Sequence, residues 1–86
     1  MFYFVYILEC FDKSYYIGCT NNLEKRLKQH NESKCGAHYT KIRRPVILKY
    51  SEKFTTKIKA MKREYQLKQL TKAKKEELIA GKMNSL

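Results

Sequence analysis

Three polar side chains fall where two predicted helices should face the core. Arg26 and His30 share an i, i+3, i+4, i+7 stripe with Leu23 and Leu27. On a later helix, turning about 100° per residue, Glu64 falls near the centre of the apolar arc. The other members of that arc are Ile58, Ala60, Met61, Tyr65 and Leu67. Because burying an unpaired charge is costly, such residues normally have a partner, a metal or a ligand. The pattern therefore predicts a functional site.

The elements that position these residues form a simple order. Strand-like runs and helical periods predict an α+β fold (α/β in the broad sense), with a small three-stranded antiparallel sheet flanked by helices in the order β-β-α-β-α-α. Asn21, Thr55 or Thr56, and Thr71 are the expected N-caps, and Gly81 is expected to end the last helix. We expect strands near 2–9, 15–19 and 46–50, and helices near 22–31, 56–69 and 72–80.

The charge balance indicates a polyanionic partner. Nineteen Lys and Arg residues against eight acids give a net charge of +11, which is typical of a surface that binds nucleic acid. The alternative is an ordinary solvated basic surface. A chain of 86 residues favours one domain, expected over residues 1–81, with a frayed tail at 82–86.

The N-terminus and the cysteines indicate the compartment. Residues 1–8 are apolar but lack a basic start and are too short for a signal peptide or a membrane span, so we expect a cytoplasmic protein without a membrane partner. Cys10, Cys19 and Cys35 are odd in number and lack CxxC spacing, which predicts reduced thiols.

Two tyrosines occupy matching places in the first two strands, in the segments Phe4-Val5-Tyr6 and Tyr16-Ile17-Gly18. Alone, such aromatics are usually core residues. Arg26 follows Gly18 by eight residues, His30 follows by four more, and Glu64 lies beyond the third strand. This pattern resembles the GIY-YIG nuclease superfamily, especially its small single-domain members, whose helix reads R-L-x-Q-H-N as residues 26–31 do here. Three positions depart from the family pattern: Phe4 replaces a glycine, Cys19 a lysine and Glu76 an asparagine.

The resemblance implies a metal-dependent endonuclease that hydrolyses phosphodiester bonds in DNA, with RNA not excluded. Such chemistry needs an activated water, charge stabilisation at phosphorus and help for the leaving oxygen. Scattered carboxylates favour one metal, Mg²⁺ or Mn²⁺, held by Glu64 and water. Arg26 would clamp the phosphate. By resemblance, Tyr6 is the general base, while Tyr16 and His30 position groups or shuttle protons.

Each of these residues also has a purely structural interpretation. The tyrosines and the histidine can be core residues with satisfied hydrogen bonds, and Glu64 can form an i, i+4 pair with Lys68, which would hold in the metal-free protein. Gly18 most simply permits a close backbone approach.

The segment 31–44 shows no hydrophobic period and is predicted to be a loop. It mixes cations with aromatic rings, which suits phosphates and unstacked bases. We expect nucleic-acid contacts from Lys34, His38, Tyr39, Lys41, Arg43 and Arg44. The alternatives are a solvated loop, or a zinc site using Cys35 and His38, although no second ligand pair appears at zinc-site spacing.

Three functions compete at this point. The first is the endonuclease, the second a non-catalytic nucleic-acid-binding module of the same fold, and the third a basic domain that docks an acidic protein. No obligate protein partner is evident from the sequence. Retention of all five polar site residues favours the first over the second, because a pure binding module does not need a carboxylate facing a phosphate. The same site argues against the third.

Overall fold

The computed structural model describes residues 1–32 and 38–81 of the protein. Its elements confirm the predicted fold and add one short helix in the segment predicted to be a loop. The elements are β1 (Tyr3–Glu9), β2 (Tyr15–Thr20), α1 (Leu23–Glu32), α2 (His38–Lys41), β3 (Ile47–Phe54), α3 (Lys57–Lys68) and α4 (Lys72–Ile79).

The sheet has the order β2-β1-β3, and both pairs of strands are antiparallel. The central strand β1 is buried on both faces, and its side chains alternate between them. Val5 and Ile7 face one side and pack with Ala60, Leu67 and Leu78 of α3 and α4. The sheet therefore has one face under these two helices.

The opposite face of the sheet carries a second core. Tyr6 and Leu8 of β1 pack there with Leu23 and Leu27 of α1 and with Tyr39 of α2. The structure thus has three layers, and the period-2 alternation of β1 divides its residues between two helical coverings.

Side-chain caps set the helix boundaries. Thr56 and Thr71 accept hydrogen bonds from the first turns of α3 and α4, and Gly81 follows α4 with a φ of +76°, as predicted. The cap of α1 is one residue later than predicted, because Asn22 accepts the backbone N–H of Lys25. Asn21 is exposed and precedes the cap.

Helix α2 and its flanks are held by arginines. Arg43 pairs with Asp12 of the β1–β2 turn at 2.9 Å, and Arg44 donates to the last-turn carbonyls of His30 and Gln29 in α1. These contacts join distant parts of the chain. A four-residue helix stabilised in this way leaves no hydrophobic period, so the prediction of a loop over this part of the segment was wrong.

The apolar arc predicted for α3 divides in two. Ala60 and Leu67 are buried, but Ile58, Met61 and Tyr65 are 68%, 52% and 68% exposed. Expecting all five to face the core was wrong, because α3 rests on the sheet through a narrow stripe around Ala60 and Leu67. In the described part of the chain, no helix has the length and apolarity needed to span a membrane.

Candidate active site

The side chain of Tyr6 lies across Gly18. The two residues are partners in the β1–β2 register, and a Cβ on Gly18 would lie 2.3 Å from the Tyr6 hydroxyl oxygen and 2.6 Å from Cζ. Any side chain at position 18 would collide with the ring. The close approach predicted for Gly18 is therefore that of the Tyr6 side chain, and it places the hydroxyl over the neighbouring edge strand.

A buried chain of hydrogen bonds continues from this hydroxyl. The Tyr6 oxygen lies 2.9 Å from Nε2 of His30, and Nδ1 of the same ring lies 2.7 Å from the Thr40 hydroxyl. His30 and Thr40 are fully buried. Both nitrogens of the imidazole thus have polar partners, which fix the orientation of the ring.

Burial keeps this pair of side chains uncharged. It lowers the pKa of His30 to about 4, with the positive charges of Arg26 and Arg44 acting in the same direction. Burial also raises the pKa of Tyr6 to about 12. A hydrogen bond from Arg26 opposes that rise, and the negative charge of Glu64 adds to it. At neutral pH the pair is a phenol beside a neutral imidazole.

Tyr16 and Arg26 complete this side of the site. The Tyr16 ring stands edge-on to His30 with centroids 5.0 Å apart, and it lies 6.0 Å from the ring of Tyr39. Arg26 is half-buried on α1 and donates to Oε1 of Gln29 at 3.0 Å. The side chains of Tyr6, Tyr16, Arg26 and His30 thus lie together on one side of the sheet.

Glu64 approaches from the other helical layer. Its side chain is 22% exposed and pairs with Nζ of Lys68 at 3.1 Å, which is the i, i+4 partner considered from the sequence. The charge of Glu64 raises the pKa of Tyr6 on one face of the sheet and of Cys19 on the other. The carboxylate therefore lies beside β2, within electrostatic reach of the tyrosine.

A divalent cation at this position would be held by few protein groups. Among residues 1–32 and 38–81, no three His, Cys, Asp or Glu side chains cluster as a metal site. A single carboxylate suits Mg²⁺ or Mn²⁺, because these hard cations are commonly held by one or two carboxylates together with water and substrate phosphate. The donor chemistry of Glu64 fits such an ion, provided that the ion displaces Lys68.

The predicted nucleic-acid contacts divide into two groups. Arg43 stacks 3.9 Å over the ring of Tyr39, donates to the carbonyl of Tyr39 and pairs with Asp12, while Arg44 caps α1. These arginines are structural in this arrangement, and Tyr39 packs against Tyr16.

The other members of the predicted set are surface residues or lie elsewhere. His38 and Lys41 are exposed on α2. Lys34 lies outside the described residues, as does Cys35 of the zinc alternative. The other two cysteines, Cys10 and Cys19, are free thiols.

Sequence reasoning missed Thr40. It is the hydroxyl that orients His30, yet it stands ten residues further along the chain in a segment predicted to be a loop. No periodic or spacing signal marks it. Only the packing of α2 against α1 brings the two side chains together.

The fold and the constellation of Tyr6, Tyr16, Arg26, His30 and Glu64 define a class of protein. Residues 2–77 match the family model for the GIY-YIG catalytic domain, so the chain belongs to the GIY-YIG family.

Its relatives include small proteins of the UPF0213 group. It is 55% identical to a UPF0213 protein of Bacillus velezensis over 83 residues, which are 96% of this chain and 83% of the relative. It is 53% identical to the UPF0213 protein YazA of Bacillus subtilis over the same shares.

Solved structures agree with the fold. The solution NMR structure of a UPF0213 protein from Bacillus halodurans is similar with a TM-score of 0.61 at 42% identity, covering 99% of this chain and 89% of that one. A second solution NMR structure, of a protein from E. faecalis, gives a TM-score of 0.65 at 41% identity, covering 94% and 85%.

Proposed function

We propose that the protein is a metal-dependent endonuclease that hydrolyses phosphodiester bonds in DNA, with a single metal ion and with Tyr6 as the general base. The observation that carries this proposal is the buried pair of Tyr6 and His30, oriented by Thr40 and placed beside Arg26. A structural core has no need of an arginine hydrogen-bonded to this hydroxyl or of a carboxylate within electrostatic reach of it. Membership of the GIY-YIG family supports the same reaction class.

In this proposal the charge of each residue determines its role. Arg26 binds the phosphate that is to be cleaved and neutralises charge developing on its oxygens. Glu64 would hold Mg²⁺ or Mn²⁺, which when bound supplies Lewis-acid polarisation at the phosphate and the attacking water. Tyr16 stands edge-on to His30, where it positions groups or shuttles protons.

The proton path runs from Tyr6 to His30. A phenol accepts a proton only after losing its own, so the Tyr6 proton must first move to Nε2 of His30, with Nδ1–H donating to Thr40. The two pKa values of about 12 and about 4 oppose that transfer in the free protein. The transfer therefore has to accompany the arrival of substrate and metal charges at the site.

The test uses Glu64→Gln, which keeps the shape of the side chain and removes its charge. We expect this variant to fold, to bind nucleic acid at least as tightly as the parent, and to lose Mg²⁺-dependent nicking. The parent and the variant are incubated with supercoiled plasmid, branched DNA and structured RNA, each with Mg²⁺ or with EDTA.

A second variant separates catalysis from binding. Arg26→Ala should reduce cleavage and also weaken affinity, because it removes a phosphate contact. If the parent cleaves and Glu64→Gln cleaves equally fast at limiting Mg²⁺, the metal assignment is wrong. If the parent cleaves none of the three substrates, the non-catalytic binding module becomes the better explanation of the fold.

A further inference from the structure

A cleft of about 230 Å³ lies along the outer edge of the sheet, on strand β2. Residues from both helical layers line it. Its walls are Tyr15, Tyr16, Ile17, Tyr39, Lys68 and Lys75. Tyr16 also contacts His30, so the cleft and the candidate active site share this residue.

The two lysines of the cleft differ in their ionic surroundings. Lys68 is 54% exposed and pairs with Glu64 at 3.1 Å. Lys75 is half-buried, and no ion pair to it is found in the described ranges 1–32 and 38–81. Lys68 is thus paired with Glu64, the same carboxylate that is proposed to bind the metal.

We propose that Lys68 is an exchangeable counter-ion. In the metal-free protein it neutralises Glu64, and when a divalent cation takes that carboxylate, Lys68 joins Lys75 as a subsite for a backbone phosphate of the nucleic acid next to the one that is cleaved. This inference deepens the proposed function and rests on it through the metal role of Glu64.

Electrostatics supports the exchange. A lysine and a divalent cation cannot both lie against one largely buried carboxylate without repelling each other, so cation binding weakens the ion pair between Lys68 and Glu64. The cleft that Lys68 lines has three tyrosines and Ile17 as its other walls beside the two lysines. An anion there would find two ammonium groups among the lining residues, and the nearby carboxylate of Glu76 is held by the Tyr15 hydroxyl. In a nuclease, the anion that reaches this position is a phosphate of the nucleic-acid backbone.

Linkage gives the exchange a thermodynamic consequence. If the cation frees Lys68 for the phosphate, cation and nucleic acid must strengthen each other's binding by the same factor. The exchange predicts that part of the coupling between cation and nucleic acid depends on Lys68. It does not depend on Lys75, which forms no ion pair with a carboxylate in the described residues.

The first experiment needs no metal and no cleavage. Affinity for a fluorescein-labelled DNA oligonucleotide is measured by anisotropy in EDTA for the parent, Glu64→Gln, Lys68→Ala and the double variant. Removing the Glu64 charge frees Lys68, so Glu64→Gln should tighten binding by about three- to fivefold in the parent and by less than about twofold in Lys68→Ala. Lys62→Ala is the matched control, since Lys62 lines another face of α3 and should leave the larger gain intact.

The second experiment measures the cation alone. Calorimetric titration with Ca²⁺, a hard cation with oxygen ligands, should give an affinity about two- to fivefold higher in Lys68→Ala than in the parent or in Lys62→Ala. Lys75→Ala should leave Ca²⁺ affinity unchanged and weaken binding of the oligonucleotide with and without Ca²⁺.

Two results would overturn the exchange. One is an equal gain from Glu64→Gln with and without Lys68, and the other is a Ca²⁺ affinity that does not respond to Lys68→Ala. Neither measurement depends on turnover. If Glu64→Gln tightens binding only when Lys68 is present, but the parent never nicks DNA, the exchange is supported and the proposed nuclease activity is refuted.

Discussion

The contact between Gly18 and Tyr6 yields a sharp quantitative test of the site. In Gly18→Ala, the new methyl group would lie 2.3 Å from the Tyr6 hydroxyl and 2.6 Å from Cζ, whereas ordinary contacts begin near 3.4 Å. The ring has to move by about 1 Å, yet it is 2% exposed and packed in the second core. We expect overpacking of about 1–3 kcal/mol and loss of the hydrogen bond with His30, about 1 kcal/mol more.

The assay is a double-mutant cycle by urea unfolding. Gly18→Ala is measured in the parent and in Tyr6→Leu, where no ring remains to collide, and the coupling should be about 2–4 kcal/mol. If Gly18→Ala destabilises both backgrounds equally, the loss comes from the backbone of β2 and not from the Tyr6 ring. Such a result would refute the packing argument for Gly18.

Three further predictions concern His30, the ion pair of Arg43 with Asp12, and the basic surface. Folding lowers the pKa of His30 from 6.5 to about 4, so the unfolded state takes up a proton first and the folded protein loses stability as the pH falls from 6.5 towards 4. Between pH 7 and 4, the free energy of unfolding should fall by up to about 3 kcal/mol more for the parent than for His30→Gln. Parallel profiles for the two proteins would contradict this. Arg43→Ala and Asp12→Ala should each destabilise the protein and show non-additive effects together, because the two side chains form one ion pair, whereas a purely phosphate-binding Arg43 would leave unfolding by urea unchanged. Affinity for duplex DNA should fall steeply with salt, with log K sloping by about 0.9 per phosphate contacted, and a flat response would exclude binding dominated by phosphate contacts.

Much of the fold follows from local signals in the sequence. The hydrophobic runs, the caps at Thr56 and Thr71 and the end signal at Gly81 predict the strands and the long helices to within a few residues. These signals work because each acts within one turn or one strand. The third strand extends to Phe54, beyond its predicted end, because pairing with β1 extends it through residues that are polar or exposed.

What could not be predicted depends on contacts between distant elements. Thr40 and the arginines of the α2 segment act through α1 and the β1–β2 turn, so no local pattern reveals them. The division of the α3 stripe has a similar cause, since the way α3 lies on the sheet covers Ala60 and leaves Met61 exposed. Convergence of the catalytic candidates was predictable only through the family resemblance, and their roles stay predictions.

In the proposed reaction, a metal ion at Glu64 would act on the protonation of Tyr6. In the protein alone Tyr6 is protonated, His30 is neutral and Glu64 is neutralised by Lys68. The positive charge of Arg26 lowers the pKa of both His30 and Tyr6, so a phosphate bound to Arg26 would raise both values and leave the difference between them. A divalent cation at Glu64 would replace the single charge of Lys68 with two charges, so it would lower the pKa of Tyr6 and favour proton transfer from Tyr6 to His30.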